Sequence, residues 1–201
     1  MLRNPVDVMY SLHSQQLYNG RENIADFRTA LDAEMIRKQG LGIPKGCYLI
    51  EGLFYREIAR YTQQVKRYLD TFGKEKVHII IFDDFKRDTT RVYRQTLRFL
   101  DVDPNFQLNF ELSNANKRMR SAFLQRCMLQ LPGVARWLGR KPSRSNFWRK
   151  TYRRIRSFNV VQEARPALDL ELKRCLQVEF APEMENLSQL LGRDLMHWCK
   201  T

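Results

Sequence analysis

An α/β fold is what the sequence predicts, on three observations. Val77-His78-Ile79-Ile80-Ile81-Phe82 is a continuous, β-branched apolar run of the kind found in a parallel strand buried on both faces. Helical periodicity flanks that run on both sides, and helix, buried strand, helix is the pattern of α/β domains. Finally, Met1-Leu2-Arg3 reads as the tail of a strand that passes into a helix at Asn4-Pro5. Asparagine is a favoured N-cap, and proline at the first helical position gives up only an N–H that lacks an intrahelical partner anyway.

The elements follow in order. The first helix runs from Pro5 through Val6, Met9, Tyr10 and His13 towards Leu17, with Asp7 placed in its first turn where the helix dipole favours an acid. Residues 20–46 are polar around one helical patch (Ile24, Phe27, Ala30, Leu31, Met35) that ends in the breakers Gly40, Gly42, Pro44 and Gly46. Tyr55, Ile58, Thr62, Val65, Leu69 and Phe72 are spaced 3, 4, 3, 4, 3, which predicts one helix with a single buried stripe, ended by Gly73. After the apolar run, Asp83, Asp84 and Asp88 lead into a helix carrying Val92, Tyr93, Thr96, Leu97 and Leu100 on one side; Asp83 and Asp84 stand at the sheet edge where a site would lie, and capping of that helix is the favoured reading. A basic helical region, Phe123 to Leu138, precedes the segment 140–158. Leu168 to Trp198 is helical again, with Pro182 expected to break it into two helices.

Composition narrows the class. The 201 residues suit one domain, spanning 1–201, and 43% hydrophobic with 28% charged residues excludes wholesale disorder. Lys plus Arg is 35 against 22 Asp plus Glu, a net charge of +13, which implies an anionic partner such as a nucleic acid, an acidic surface or a phosphorylated cofactor. Cys47, Cys127, Cys175 and Cys199 lie 80, 48 and 24 residues apart, which excludes a Cys-x-x-Cys zinc or thiol-redox site. The longest apolar run is far short of the ~20 residues of a membrane span, and Arg3, Asn4, Pro5 and Asp7 leave no apolar signal region. The expectation is a soluble, cytoplasmic protein.

Arg3 and Ser11 are the first candidate pair. Arg3 stands where a parallel strand ends, the edge at which open α/β sheets bind ligands, and Ser11 lies two turns into the following helix. An anion held there would meet a guanidinium fork, a hydroxyl and the positive end of a helix; the other reading is a solvated terminal charge and a surface serine. His13 reads as structural, and His78 and His197 carry less chemistry still. Asn114, Lys117, Arg118 and Arg120 are either a second anion-binding group or a solvated basic helix start. In 140–158, eight Lys or Arg residues occur without an acid, interleaved with Phe147, Trp148, Tyr152 and Phe158, and Trp148, Tyr152, Ile155 and Phe158 or Asn159 are at helical spacing. That makes a basic amphipathic helix suited to nucleic acid or an anionic membrane surface, or else an aromatic core stripe with a solvated cationic face.

Leu2-Arg3-Asn4-Pro5-Val6-Asp7-Val8-Met9-Tyr10-Ser11 resembles a signature of the sulfotransferases that use 3′-phosphoadenosine-5′-phosphosulfate (PAPS). Gly46-Cys47-Tyr48-Leu49 before a long helix, Val77–Phe82 with Asp83-Asp84-Phe85, the "FLGV"-like Phe99-Leu100-Asp101-Val102, and Arg165-Pro166 to Trp198 with Leu190-Leu191-Gly192-Arg193-Asp194-Leu195 are similar to bacterial and carbohydrate-type members. The resemblance implies a P-loop NTPase-like, three-layer fold with a parallel sheet and a helix-rich C-terminal half. It implies PAPS as co-substrate, no metal, and a hydroxyl or amine acceptor, with a carbohydrate among the candidates. Arg3 and Ser11 would grip the 3′-phosphate, and Lys117, Arg118 and Arg120 would close over it. The family's phosphosulfate-binding loop, with its lysine and general base, lies upstream of the Arg-Asn-Pro turn, and no Gly-Lys-Ser/Thr loop occurs in these residues. The expectation is therefore a domain lacking its first strand and P-loop, with its catalytic residues upstream of Met1 and no turnover of its own. Either Met1 is an internal methionine or the chain is a remnant. The alternative functions are a basic nucleic-acid or anionic-membrane-surface binding module built on 140–158, or a non-functional fragment.

Overall fold

A computed structural model describes residues 1–106, 117–119, 154, 160–162 and 165–200. In chain order the helices are α1 (Pro5–Asn19), α2 (Phe27–Asp32), α3 (Glu34–Lys38), α4 (Tyr55–Ala59), α5 (Tyr61–Phe72), α6 (Phe82–Arg87), α7 (Thr89–Phe99) and α8 (Leu170–Leu191). Strands β1 (Lys117–Met119) and β2 (Val160–Gln162) pair antiparallel, with Lys117 opposite Gln162 and Met119 opposite Val160. The chain forms two compact units, one of Met1–Leu12, Phe54–Glu111 and Leu168–Thr201, the other of His13–Leu53 and Leu112–Ala167. Among the described residues no helix is long and apolar enough to cross a membrane.

In the first unit, the predicted strand tail meets the end of the apolar run. The Leu2 N–H donates to the Ile80 carbonyl at 2.7 Å, the Phe82 N–H donates to the Leu2 carbonyl at 2.7 Å, and Leu2 and Ile81 form a parallel bridge. The pairing has the predicted direction but is one residue pair long among the described residues. Ile81 is buried, at 4% exposed, while Val77 to Ile80 are half-buried. The expectation of a run buried on both faces therefore fails at 77–80: such burial needs a neighbour along the whole run, and Leu2 reaches only its last residues. The chain turns into α6 at Phe82, immediately after the bridge.

Two helix predictions need correction. The stripe from Tyr55 to Phe72 is divided between α4 and α5 at Arg60, whose ψ of 96° is extended. A partner distant in sequence holds the break: Glu183 Oε1 of α8 accepts the Thr62 N–H at 2.7 Å, satisfying a donor at the new helix start. The divided stripe buries Tyr55, Tyr61 and Val65, and leaves Phe72 53% exposed. Conversely, α8 continues unbroken through Pro182. Proline removes the donor for the Val178 carbonyl, but Pro182 is exposed and Val178 is 75% exposed, so water can reach the lost bond while the buried face (Leu172, Leu176, Phe180, Met184, Leu187) stays intact.

The core of this unit gathers Tyr61 and Val65 from α5, Ile81, Met184 and Leu187 from α8, and Leu195 and Trp198 beyond it, with Leu2 packed against them. The end of α7 turns through Asp101 at φ +56°, so an aspartate occupies the left-handed conformation where the FLGV-like pattern has its least strained residue, glycine.

In the second unit Phe27, Ala30 and Leu31 of α2 are buried, and Asp26 caps that helix by accepting the Thr29 N–H at 2.8 Å. Gln16 Nε2 donates to the Gly52 carbonyl at 2.9 Å, and a Cβ on residue 52 would lie 2.6 Å from that nitrogen, so glycine is what permits the approach. Glu22 and Arg37 form a bidentate ion pair at 2.8 and 2.7 Å with both side chains 0% exposed.

Candidate functional site

Local chemistry sets up the start of α1. Asn4 Oδ1 accepts the Val6 N–H at 3.0 Å and the Asn4 carbonyl accepts the Val8 N–H at 3.0 Å, so Asn4 is the N-cap that the sequence predicts. The amide of Asn4 has a second use, since its Nδ2 donates to the Trp198 carbonyl at 3.1 Å. The helix start is thereby tied to the C-terminal segment.

Arg3 precedes this cap and follows the bridge at Leu2. Its guanidinium carbon lies 4.9 Å from the centroid of the Phe82 ring, and its Nη2 donates to Asp7 Oδ2 at 3.2 Å. The side chain is 35% exposed, yet its Nε is buried without a hydrogen-bond partner. Ser11 is one turn beyond Asp7 on the same ridge of α1, on the side opposite the buried residues Val6, Met9, His13 and Gln16. Arg3 therefore stands just before the cap of α1, at the end of the parallel bridge and bonded to Asp7, and Ser11 lies one turn beyond Asp7 on that helix. The Arg3–Asp7 pair, with Asp7 56% exposed, is worth little, so an anion with more charge could take its place.

Tyr61, which sequence reasoning missed, belongs to the same surroundings. Burial pushes its phenol well above the usual value, and Arg3 and Asp7 are among the charges acting on it. It stays protonated throughout the working range of pH.

Of the three acids after the apolar run, Asp88 caps a helix and Asp83 and Asp84 do not, because both lie inside the first turn of α6 and bond to the C-terminal segment instead. Asp88 is the cap of α7, accepting the Arg91 N–H at 2.9 Å. Asp83 Oδ2 accepts the Trp198 indole N–H at 2.5 Å and faces His197 Nε2 at 3.1 Å. Asp84 forms a bidentate pair with Arg193 and a second bond with Arg87 at 3.1 Å. Burial alone would raise Asp83, but the hydrogen bonds from Trp198 and His197 outweigh it and hold its carboxyl below the usual range. The hydrogen bond from Arg193 does the same for Asp84.

Depressed folded-state values mean stability that is present above the unfolded carboxylate pKa of about 4 and lost as pH falls below it. Thermal melting should therefore lose midpoint steadily below about pH 4, and the double variant Asp83→Asn, Asp84→Asn should flatten that limb.

His13 is structural, as its place on the helix predicts: it is buried, its ring tilted against that of Phe27 at 5.2 Å between centroids, with Nε2 2.9 Å from the Ile24 carbonyl. Burial lowers its pKa. Lys117 and Arg118 lie on β1, in the unit that does not contain Arg3 and Ser11. Arg120 and Asn114 lie outside the described residues, as do 123–138 and all of 140–158 except Arg154, which is exposed.

A short parallel pairing delivers an arginine to the first turn of a helix, a geometry whose chemistry suits an anion. The family model described as "Sulfotransferase domain" matches residues 1–130, and the chain belongs to the sulfotransferase family. Among solved structures, it is similar to the crystal structure of a sulfotransferase from Alicyclobacillus acidocaldarius, with 26% identity and a TM-score of 0.61. That similarity covers 98% of this chain and 55% of the other, so the chain spans about half the length of the sulfotransferase it matches. No curated protein matches the sequence. The matched residues 1–130 contain Arg3, Ser11, Lys117, Arg118 and Arg120 but stop short of 140–158.

Proposed function

We propose that this chain supplies the 3′-phosphate half of a PAPS site in a sulfotransferase of P-loop NTPase-like, three-layer architecture. The reaction is transfer of a sulfuryl group from PAPS to a hydroxyl or amine acceptor, with carbohydrate a candidate acceptor on this basic surface. One observation carries the reading: Arg3 sits at the end of the parallel bridge with a buried, unpartnered Nε, just before the helix that carries Ser11. An orphaned N–H beside an exposed, weakly paired Nη2 is a donor set that a phosphate monoester can fill. The residues present fit the group.

When bound, PAPS supplies the activated sulfuryl group. Arg3 would hold the far phosphate through its fork and Ser11 would donate its hydroxyl, while the N-terminus of α1 adds a favourable potential. Lys117, Arg118 and Arg120 are proposed as further phosphate contacts. These contacts give binding energy and orientation. They do not stabilise charge developing at the transferred group, which is where rate comes from. The 201 residues contain no Gly-Lys-Ser/Thr loop, so the polypeptide alone is proposed to bind nucleotide weakly and to turn over negligibly.

The test is a thermal melt with increasing 3′-phosphoadenosine-5′-phosphate (PAP), the desulfated co-substrate. PAP should raise the midpoint, as any ligand of the folded state does. Arg3→Ala should lose about tenfold or more in affinity, the effect of one charge-assisted contact. Ser11→Ala should lose less. An unchanged wild-type melt, with steeply salt-dependent binding to random RNA or anionic vesicles, would replace this reading with that of a basic binding module.

A further inference from the structure

The Arg3 turn is held from a place remote in sequence. Trp198 is 3% exposed and its groups meet three elements of the first unit. Its carbonyl accepts from Asn4 Nδ2 at 3.1 Å and faces Gln177 Nε2 of α8 at 3.4 Å; the same Gln177 nitrogen donates to the Lys200 carbonyl at 3.1 Å. Its indole N–H donates to Asp83 Oδ2 at the start of α6. Its ring packs in the cluster that includes Ile81, the bridge partner of Leu2. Residues on both sides of Arg3, Leu2 and Asn4, are therefore fixed by contacts that converge on Trp198 or its cluster.

Arg3 itself has one ion pair, with the exposed Asp7, and one ring contact, with Phe82. Neither is strong enough to define a guanidinium direction. Phe82 is the residue next to Asp83, so the ring under Arg3 is also placed by the indole bond to Asp83. The helix cap alone does not require this arrangement, because Asn4 Oδ1 already caps Val6, and a serine would cap as well. What Asn4 adds through Nδ2 is the link to Trp198.

We propose that Trp198 is a positioning residue for the phosphate grip: its carbonyl orients Asn4, its indole orients the Asp83–Phe82 turn, and together they aim Arg3. The proposal rests on Arg3 holding the 3′-phosphate of PAPS. Trp198 touches no reacting atom; it acts through Asn4 and Phe82.

The experiment uses the full chain with the variants Asn4→Ser, Trp198→Phe and their double. Asn4→Ser keeps a capping oxygen and a neutral side chain but loses the donor to Trp198. Trp198→Phe keeps an aromatic ring in the cluster but loses the indole N–H. Two quantities are read: PAP affinity by calorimetry, and ordering of the Arg3 Nε–H by ¹⁵N relaxation, its signal assigned by its loss in Arg3→Lys.

The expected result is about a tenfold loss of PAP affinity in each single variant, the scale of one misaligned charge-assisted contact, and little further loss in the double, because both act on one arginine. The Arg3 Nε–H should become mobile in all three, while unliganded melting of Asn4→Ser stays at the wild-type midpoint. If the wild type binds PAP and the variants bind equally well with Arg3 still ordered, the positioning role is overturned while the nucleotide reading stands. If the wild type binds no PAP, the nucleotide reading fails and the role in phosphate positioning falls with it. In that case, an Arg3 that stays ordered in Trp198→Phe would also remove the mechanical link.

Discussion

Replacing Arg37 by methionine is expected to cost about 3–5 kcal/mol, the penalty for leaving a buried charge without its partner. The Glu22 carboxylate that would be stranded has no access to water: both side chains are 0% exposed. At present its two oxygens receive Arg37 Nη1 and Nη2 at 2.8 and 2.7 Å and the N–H groups of Asn23 and Ile24 at 2.8 and 3.0 Å. The two backbone donors would remain, but they do not cancel a charge. Glu22→Gln should therefore soften the defect, and the pair Glu22→Gln, Arg37→Met should recover a good part of the loss of Arg37→Met alone. Urea denaturation of the three variants reads this directly. A loss under 1 kcal/mol in Arg37→Met, a value ordinary for exposed pairs, would show that water reaches the carboxylate.

That pair also shows where sequence reasoning stops. The start of α1 is legible because capping is local: Asn4 and Pro5 act on groups within one turn. The caps Asp26 and Asp88 are local in the same way, each bonding an N–H three residues on. Features made by distant partners are not legible. Glu22 and Arg37 read as two polar residues on a loop and a short helix until folding makes them one buried unit.

The break at Arg60 depends on Glu183, 121 residues away from Thr62, and the periodicity across it gives no sign. Asp83 looks like a helix cap because caps are what aspartates after strands usually are, whereas its bonds come from Trp198, 115 residues later. Near the candidate site, the Arg3–Asp7 pair could be found because both groups lie within one turn of the Asn4 cap. Tyr61 and Trp198 could not, because what gathers them around the Asn4 and Asp83 turns is the core, and an aromatic residue carries no signal in the sequence of which side chain it will lie against.

The core that brings these residues together makes the second large effect. Leu187→Ala should cost about 2–5 kcal/mol, the range for deleting a fully buried leucine side chain. Leu187 is 0% exposed and packs among Tyr61, Val65, Ile81, Leu195 and Trp198, so α5, α8, the bridge and the C-terminal segment all border the space it would leave. Val178→Ala, on the same helix but 75% exposed, is the control and should shift the denaturation midpoint by no more than a surface substitution does.

The comparison also separates two kinds of damage. A cavity at Leu187 loosens Ile81, and through it the single bridge that holds Leu2 next to Arg3, so PAP affinity should fall together with stability. Arg37→Met perturbs the other compact unit, so in the fraction still folded the bridge at Leu2 and the contacts of Arg3 with Asp7 and Phe82 should be unchanged. If Leu187→Ala were to lose stability and keep full affinity, the aim of Arg3 would be set by the α1 turn itself and the core would serve only to keep the unit folded.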